Sequence, residues 1–176
     1  RALCEQGLDV GPVIATRDRA YVDRIDERFV RQCAFYYAAL EPVEDVLDLA
    51  LDNVLKIAVY AFGDAESECY GPLSAAVPGV QTVVSGVHWV DMMPRTASKG
   101  RALAAVQERL GITPAQTAVF GDYLNDAELY DYSELSFAMA NAHPGILSRA
   151  RYIAPANTDD GVLRTIETLL DRLSPR

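Results

Sequence analysis

The stretch Ala118-Val119-Phe120-Gly121-Asp122-Tyr123-Leu124-Asn125-Asp126 carries an apolar run directly into a glycine, two carboxylates and an amide. In open α/β sheets, ligands bind beyond the carboxyl ends of strands, and Asp122 stands at such an end. Gly121 permits a tight backbone turn there. The four-residue step from Asp122 to Asp126 can bring both carboxylates to one side of the strand-to-helix turn. Two converging acids with no Lys or Arg beside them in sequence repel each other. A divalent cation relieves that cost, and a donor set made only of oxygen favours magnesium over zinc. A plainer reading stands beside this one: Asp122 caps a turn, and Asp126 sits where negative charge suits a helix dipole.

Lys99 is the second candidate. It opens a helical stretch in Thr96-Ala97-Ser98-Lys99-Gly100, where a cation opposes the macrodipole at a cost of roughly 0.3 to 1 kcal/mol. Helix-terminal N–H groups beside a positive charge make a good anion site, with Ser98 free to cap the helix independently. A solvated surface lysine is the alternative. Ala138-Met139-Ala140-Asn141-Ala142 follows the next strand end and reads either as a lining of the same cleft or as a tight packed loop. His88 and His143 have no Cys or His partners at ligand spacing and are given no role. Cys33 reads as packing rather than as a nucleophile.

The elements that must position these residues fall into two styles. Val13–Thr16 and Ala20–Val22 flank Arg17-Asp18-Arg19 as a hairpin with a polar tip. Residues 26–37 have helical spacing, with Phe29, Val30, Cys33, Ala34 and Tyr37 on one face. A short helix is expected to start from Pro42 and Glu44-Asp45, then a buried strand over 54–62 that contains an awkward Lys56. Asp64 should cap a helix over 65–73. Val80–Val84 and His88–Met92 form a second hairpin around Ser85-Gly86.

Beyond Pro94 helix and strand alternate. The expected order is a helix over 99–110 stopped by Gly111, a strand over 117–120, a helix over 125–132, a strand over 135–138, a helix over 144–150, a strand at 152–153 and a closing helix over 159–173. Such alternation predicts a parallel sheet with right-handed crossovers. The fold class is therefore α/β: a mixed α/β domain over residues 1–93, then a Rossmann-like parallel sheet over 94–176. Arg1 to Gly7 reads as the last turns of a helix, so residues are expected to precede it.

Half of the 176 residues are apolar, enough for a real core. A net charge of -9 argues against a general nucleic-acid binder. No run approaches the roughly 18 to 20 apolar residues of a membrane span, so no membrane partner is expected. Three cysteines at spacings that fit neither a zinc site nor a disulfide framework point to a reducing cytoplasm.

Taken together, Ser98-Lys99-Gly100, Leu110-Gly111-Ile112, Gly121-Asp122, Asn125-Asp126, Ala138-Met139-Ala140-Asn141-Ala142 and Asp160-Gly161-Val162 resemble, in order and spacing over 93–170, the Cof-type branch of the haloacid dehalogenase-like phosphatases. The resemblance implies that Lys99 contacts the phosphoryl group, Asp122 binds Mg2+, Asn125 touches substrate and Asp126 supports the metal shell, as ligand or one step behind it. It implies that residues 1–93 are most of a cap that closes over the site. It further implies a phosphomonoesterase of small phosphorylated metabolites, such as sugar phosphates, working through an aspartyl-phosphate.

In the family an Asp-x-Asp-Gly-Thr segment supplies the nucleophile, and nothing in this chain matches it. The expectation is an active intact parent and an inactive 176-residue chain. Tyr123 and Ala140 stand where the family often has small residues. Two other readings share the same charges: a magnesium or phospho-ligand binding module without turnover, and a phosphosugar mutase or phosphotransferase. The tip arginines Arg17 and Arg19 could read a leaving group or simply be solvated.

Overall fold

A computed structural model describes residues 2–50 and 52–173. The helical turn expected at Arg1 and the end of the second expected domain at 174–176 lie outside the described residues. The chain divides into two compact units, Arg1–Arg95 and Thr96–Arg176.

The first unit contains helix α1 (Ala2–Glu5), strands β1 (Val10–Thr16) and β2 (Ala20–Val22), helix α2 (Glu27–Ala34), strands β3 (Leu40–Pro42) and β4 (Val54–Ala61), helix α3 (Gly71–Ala76), and strands β5 (Val80–Gly86) and β6 (Trp89–Pro94). The strands make one sheet in the order β3-β2-β1-β4-β6-β5. Every neighbouring pair is antiparallel except β2 and β3. Asp26 accepts a hydrogen bond from the Phe29 N–H and so starts α2, a cap worth about 1 kcal/mol. One helical turn apart, Phe29 and Cys33 are fully buried against Val13, Val22 and Ala58 of the sheet.

Four expectations in this unit are corrected. Helix α2 ends at Ala34, before Tyr37, and leaves Phe35 and Tyr36 exposed. Pro42 ends an edge strand, where its missing N–H does no harm, and a single 3-10 turn at Val46–Asp48 follows, capped by Asp45. Asp64 does cap its helix through the Ser67 N–H, but the first turn, Glu66–Tyr70, is π-wound before α3 begins. Pro72 explains the widening, since its ring cannot sit against the carbonyl four residues back in α geometry. The second hairpin turns at Val87-His88 rather than at Ser85-Gly86, with a register shift between Val84 and Gly86. The awkward Lys56 has a partner: its Nζ lies 3.0 and 3.1 Å from the two oxygens of buried Asp91.

The second unit contains helix α4 (Lys99–Leu110), strand β7 (Ala118–Gly121), a long 3-10 run over Leu124–Tyr132, strand β8 (Leu135–Met139), helix α5 (Pro144–Leu147), strand β9 (Tyr152–Ala154) and helix α6 (Gly161–Leu173). Its three strands are parallel in the order β7-β8-β9. Ser98 caps α4 by accepting from the Arg101 N–H, and Gly111 closes it at φ 65°. The core gathers Val119, Phe137, Ala138, Met139, Ile146 and Ala154, and across the three strands the Phe120 ring stacks on Phe137, which meets Tyr152 at a tilt. Buried Gln107 ties α4 to the sheet by donating to Thr117 Oγ1 and the Tyr132 carbonyl, both at 2.8 Å.

The α-helix expected over 125–132 is a tighter 3-10 run. Asp126 and Tyr130 both reach back to the end of β7, and these anchors hold the segment close to the strand. Helix α5 stops at Leu147, short of Ala150, and α6 starts at Gly161, after Asp160 at φ 54°. The whole is an α/β fold with a parallel sheet in the second unit and a mixed sheet in the first. No helix among the described residues is long and apolar enough to cross a membrane.

Candidate functional site

The ends of β7, β8 and β9 meet in one polar cluster. At the end of β7, Gly121 is followed by half-buried Asp122. The 3-10 run then begins and carries half-buried Asn125 and buried Asp126 in its first turn. Gly121 is needed for space rather than for an unusual turn. A Cβ there would lie 2.7 Å from the Asp126 Cβ and 2.9 Å from the Tyr130 hydroxyl.

Asp126 is fully engaged. Its Oδ2 accepts from the N–H groups of Asp122 at 3.1 Å and Tyr123 at 3.5 Å. Its Oδ1 accepts from Lys99 Nζ. The repulsion expected between the two acids is therefore relieved by a lysine distant in sequence. The unfavourable place of Lys99 at a helix N-terminus has the same explanation. Gly100, its neighbour, allows α4 to approach the 3-10 run, since a Cβ there would lie 2.7 Å from the Cβ and carbonyl oxygen of Glu128.

Tyr130 fixes the floor of the cluster by donating to the carbonyls of Gly121 at 3.4 Å and Phe137 at 3.1 Å. Burial, and then the charges of Asp126 and Asp122, push its hydroxyl up to about 12. The His143 N–H donates to the Asp122 carbonyl at 2.9 Å, and His143 Nδ1 accepts from the Gly145 N–H to start α5. This histidine is a cap. His88 is likewise structural, with Nδ1 2.8 Å from the Gly63 carbonyl.

The Asp122 carboxylate has one partner that sequence reasoning missed. Asn157, in the turn after β9, donates from Nδ2 to Asp122 Oδ2 at 3.4 Å. Asn157 in turn exchanges two hydrogen bonds with Asn141 after β8. The strand-end rule, applied to β9 as it was to β7, is the signal that would have flagged it. Asn141, left open between cleft and loop, takes part through this contact.

Among the described residues no three His, Cys, Asp or Glu side chains converge on a common metal position. The donors that could hold a cation are thus the Asp122 carboxylate and, behind it, Asp126. Both are hard oxygen donors, and magnesium is often held by one or two protein carboxylates with water and phosphate completing its shell. In the first unit, Arg19 pairs with Glu41 while Arg17 is exposed at the hairpin tip.

Comparison with known proteins decides the family. Residues 2–166 match the haloacid dehalogenase-like hydrolase family. The chain belongs to the haloacid dehalogenase-like hydrolases, in their Cof-type branch.

Among relatives of this chain, the 5-amino-6-(5-phospho-D-ribitylamino)uracil phosphatase YbjI of Escherichia coli is 27% identical over 169 residues, 95% of this chain and 62% of the relative. The phosphoglycolate phosphatase of Archaeoglobus fulgidus is 36% identical over 91 residues, 52% of this chain and 40% of its own length. Among solved structures, SMU.1108c from Streptococcus mutans superposes with a TM-score of 0.83 at 23% identity, covering 93% of this chain and 62% of that one. The subclass IIB sugar phosphatase BT4131 gives 0.75 at 18% identity, covering 96% and 63%. These structural likenesses are of fold. The chain spans less than two thirds of the length of each of these four proteins.

Proposed function

We propose that the chain supplies the cation- and phosphate-holding half of a magnesium-dependent phosphomonoester hydrolase that acts on small phosphorylated metabolites. The observation that carries this reading is the ion pair of Lys99 with buried Asp126 beside the Asp122 strand end. Named relatives are phosphatases of small organic phosphates, which supports the substrate class.

Asp122 offers its carboxylate to Mg2+. Asp126, with both oxygens occupied by protein donors, acts from behind by holding the Asp122 and Tyr123 backbone and the Lys99 ammonium. The half-exposed Lys99 would present N–H donors to a phosphoryl oxygen, and Asn125 takes the substrate-contacting role that the family resemblance gives it. Bound magnesium would add Lewis-acid neutralisation of the phosphoryl oxygens. The attacking carboxylate of an aspartyl-phosphate route requires an Asp-x-Asp segment, which these 176 residues do not contain.

The test is a comparison of phosphate release from sugar phosphates, with and without magnesium. A longer polypeptide that joins an Asp-x-Asp strand to these residues should turn over, and the 176-residue chain alone should not. Turnover by the chain alone at the rate of the longer polypeptide would sink the assignment.

A further inference from the structure

We infer that Asn157, itself set by Asn141, is a positioning residue that fixes which oxygen of Asp122 faces the cation. The inference rests on the proposed role of Asp122 and goes beyond it by assigning two residues that the family resemblance leaves without one.

The direction of every bond in this relay is forced from its ends. The Asn157 backbone N–H can only donate, and at 3.2 Å it donates to Asn141 Oδ1. That makes the other arm of the Asn141 amide its NH2 group, which donates from Nδ2 to Asn157 Oδ1 at 2.9 Å. The Asn157 amide is thereby turned so that its own NH2 group points at Asp122. A carboxylate can only accept, so the contact from Asn157 Nδ2 to Asp122 Oδ2 at 3.4 Å has the one sense open to it. Neither amide can flip without setting donor against donor or acceptor against acceptor.

At 3.4 Å the last link is long, an orienting dipole rather than a strong bond. Its effect is nonetheless specific. With Oδ2 turned to an N–H donor, Asp122 would offer Oδ1 to a metal in preference to Oδ2. Partners that orient a liganding group in this way typically change metal affinity about 10- to 100-fold when removed. The relay also joins the ends of all three strands, since Asp122 follows β7, Asn141 follows β8 and Asn157 follows β9. Both asparagines are exposed, so neither is held in place by packing, and hydrogen bonding is what explains their pairing.

The experiment titrates Mn2+ into the 15N-labelled 176-residue chain and follows paramagnetic broadening of the Asp122 and Tyr123 amide signals. Asp122→Asn should abolish the specific broadening. Asn157→Ala should weaken Mn2+ binding about tenfold without changing the midpoint of urea unfolding. Asn141→Ala should weaken it in the native background and have no further effect in the Asn157→Ala background, because it acts through Asn157. That coupling is one a merely structural role would not produce. If Asp122→Asn abolishes binding while Asn157→Ala leaves it unchanged, the relay is overturned and the metal site stands. If Asp122→Asn leaves binding unchanged, the reading of Asp122 itself fails, and the relay with it.

Discussion

Lys99 Nζ donates to Oδ1 of Asp126 across 27 positions of sequence, and the two residues differ sharply in environment. The lysine side chain is 50% exposed while the aspartate is 8% exposed. The charge that has lost its water is the carboxylate, so the lysine matters most as its neutraliser. Replacement of Lys99 by Met should lower the free energy of unfolding by about 1 to 3 kcal/mol, the cost of leaving a charged acceptor short of a partner. Asp126→Asn in the same background should recover part of that loss. Equilibrium urea unfolding of the two single variants and the double variant gives the coupling directly.

Gly121→Ala should destabilise through crowding. The added Cβ would meet the Asp126 Cβ at 2.7 Å and the Tyr130 hydroxyl at 2.9 Å, and both contacts belong to anchored groups. A cost of about 1 to 3 kcal/mol is expected. In a 15N–1H spectrum the Asp122 and Tyr123 amides should move most, since Asp126 would be pushed off them.

Tyr130 sets a pH dependence at the alkaline end. Its hydroxyl ionises near 12 in the folded chain against an ordinary value of 10.0, so the unfolded chain gives up the proton first. Its contribution is complete below pH 10 and is lost as pH rises towards 12. Wild type should therefore shed stability across that window more steeply than Tyr130→Phe, and urea midpoints measured between pH 9 and pH 12 compare the two. Below pH 10 the Phe variant should be weaker by about 1 kcal/mol for the lost hydroxyl bonds.

Of the three cysteines, Cys4 is exposed while Cys33 and Cys69 are buried. Burial also raises both buried thiols, Cys33 to about 11. A chromogenic disulfide reagent at pH 8 should titrate one thiol per chain rapidly and all three only after urea is added. Rapid reaction of two or three thiols in the native chain would contradict the burial of Cys33 in α2 and of Cys69 in the π-wound turn.

Much of this architecture is legible in the sequence because periodicity and caps speak locally. The bounds of α4 follow from Ser98 and Gly111, and the first hairpin follows from two β-rich runs around a charged triplet. The departures occur where a distant contact overrides the local signal. The segment over 124–132 has helical spacing but is wound tighter, because Asp126 and Tyr130 are tied to β7. Pro72 marks a turn that spacing alone reads as regular helix. At the site, the spacing of Asp122 and Asp126, the helix-opening place of Lys99 and, for Asn125, the family resemblance marked the candidates. The sequence could not show that Lys99 meets Asp126, which depends on how α4 packs against the 3-10 run, nor that Asn157 reaches Asp122 from 35 positions away, which depends on how the strands lie side by side.

Gly100 works like a shim of zero thickness. Its missing side chain sets the gap between the backbone of α4 and Glu128, and Lys99 is the adjacent residue. The reach of the ammonium to Asp126 is thus gauged by the main chain as well as by a flexible four-carbon stem. Gly100→Ala adds no charge and removes none, yet its effect would be read out as electrostatics.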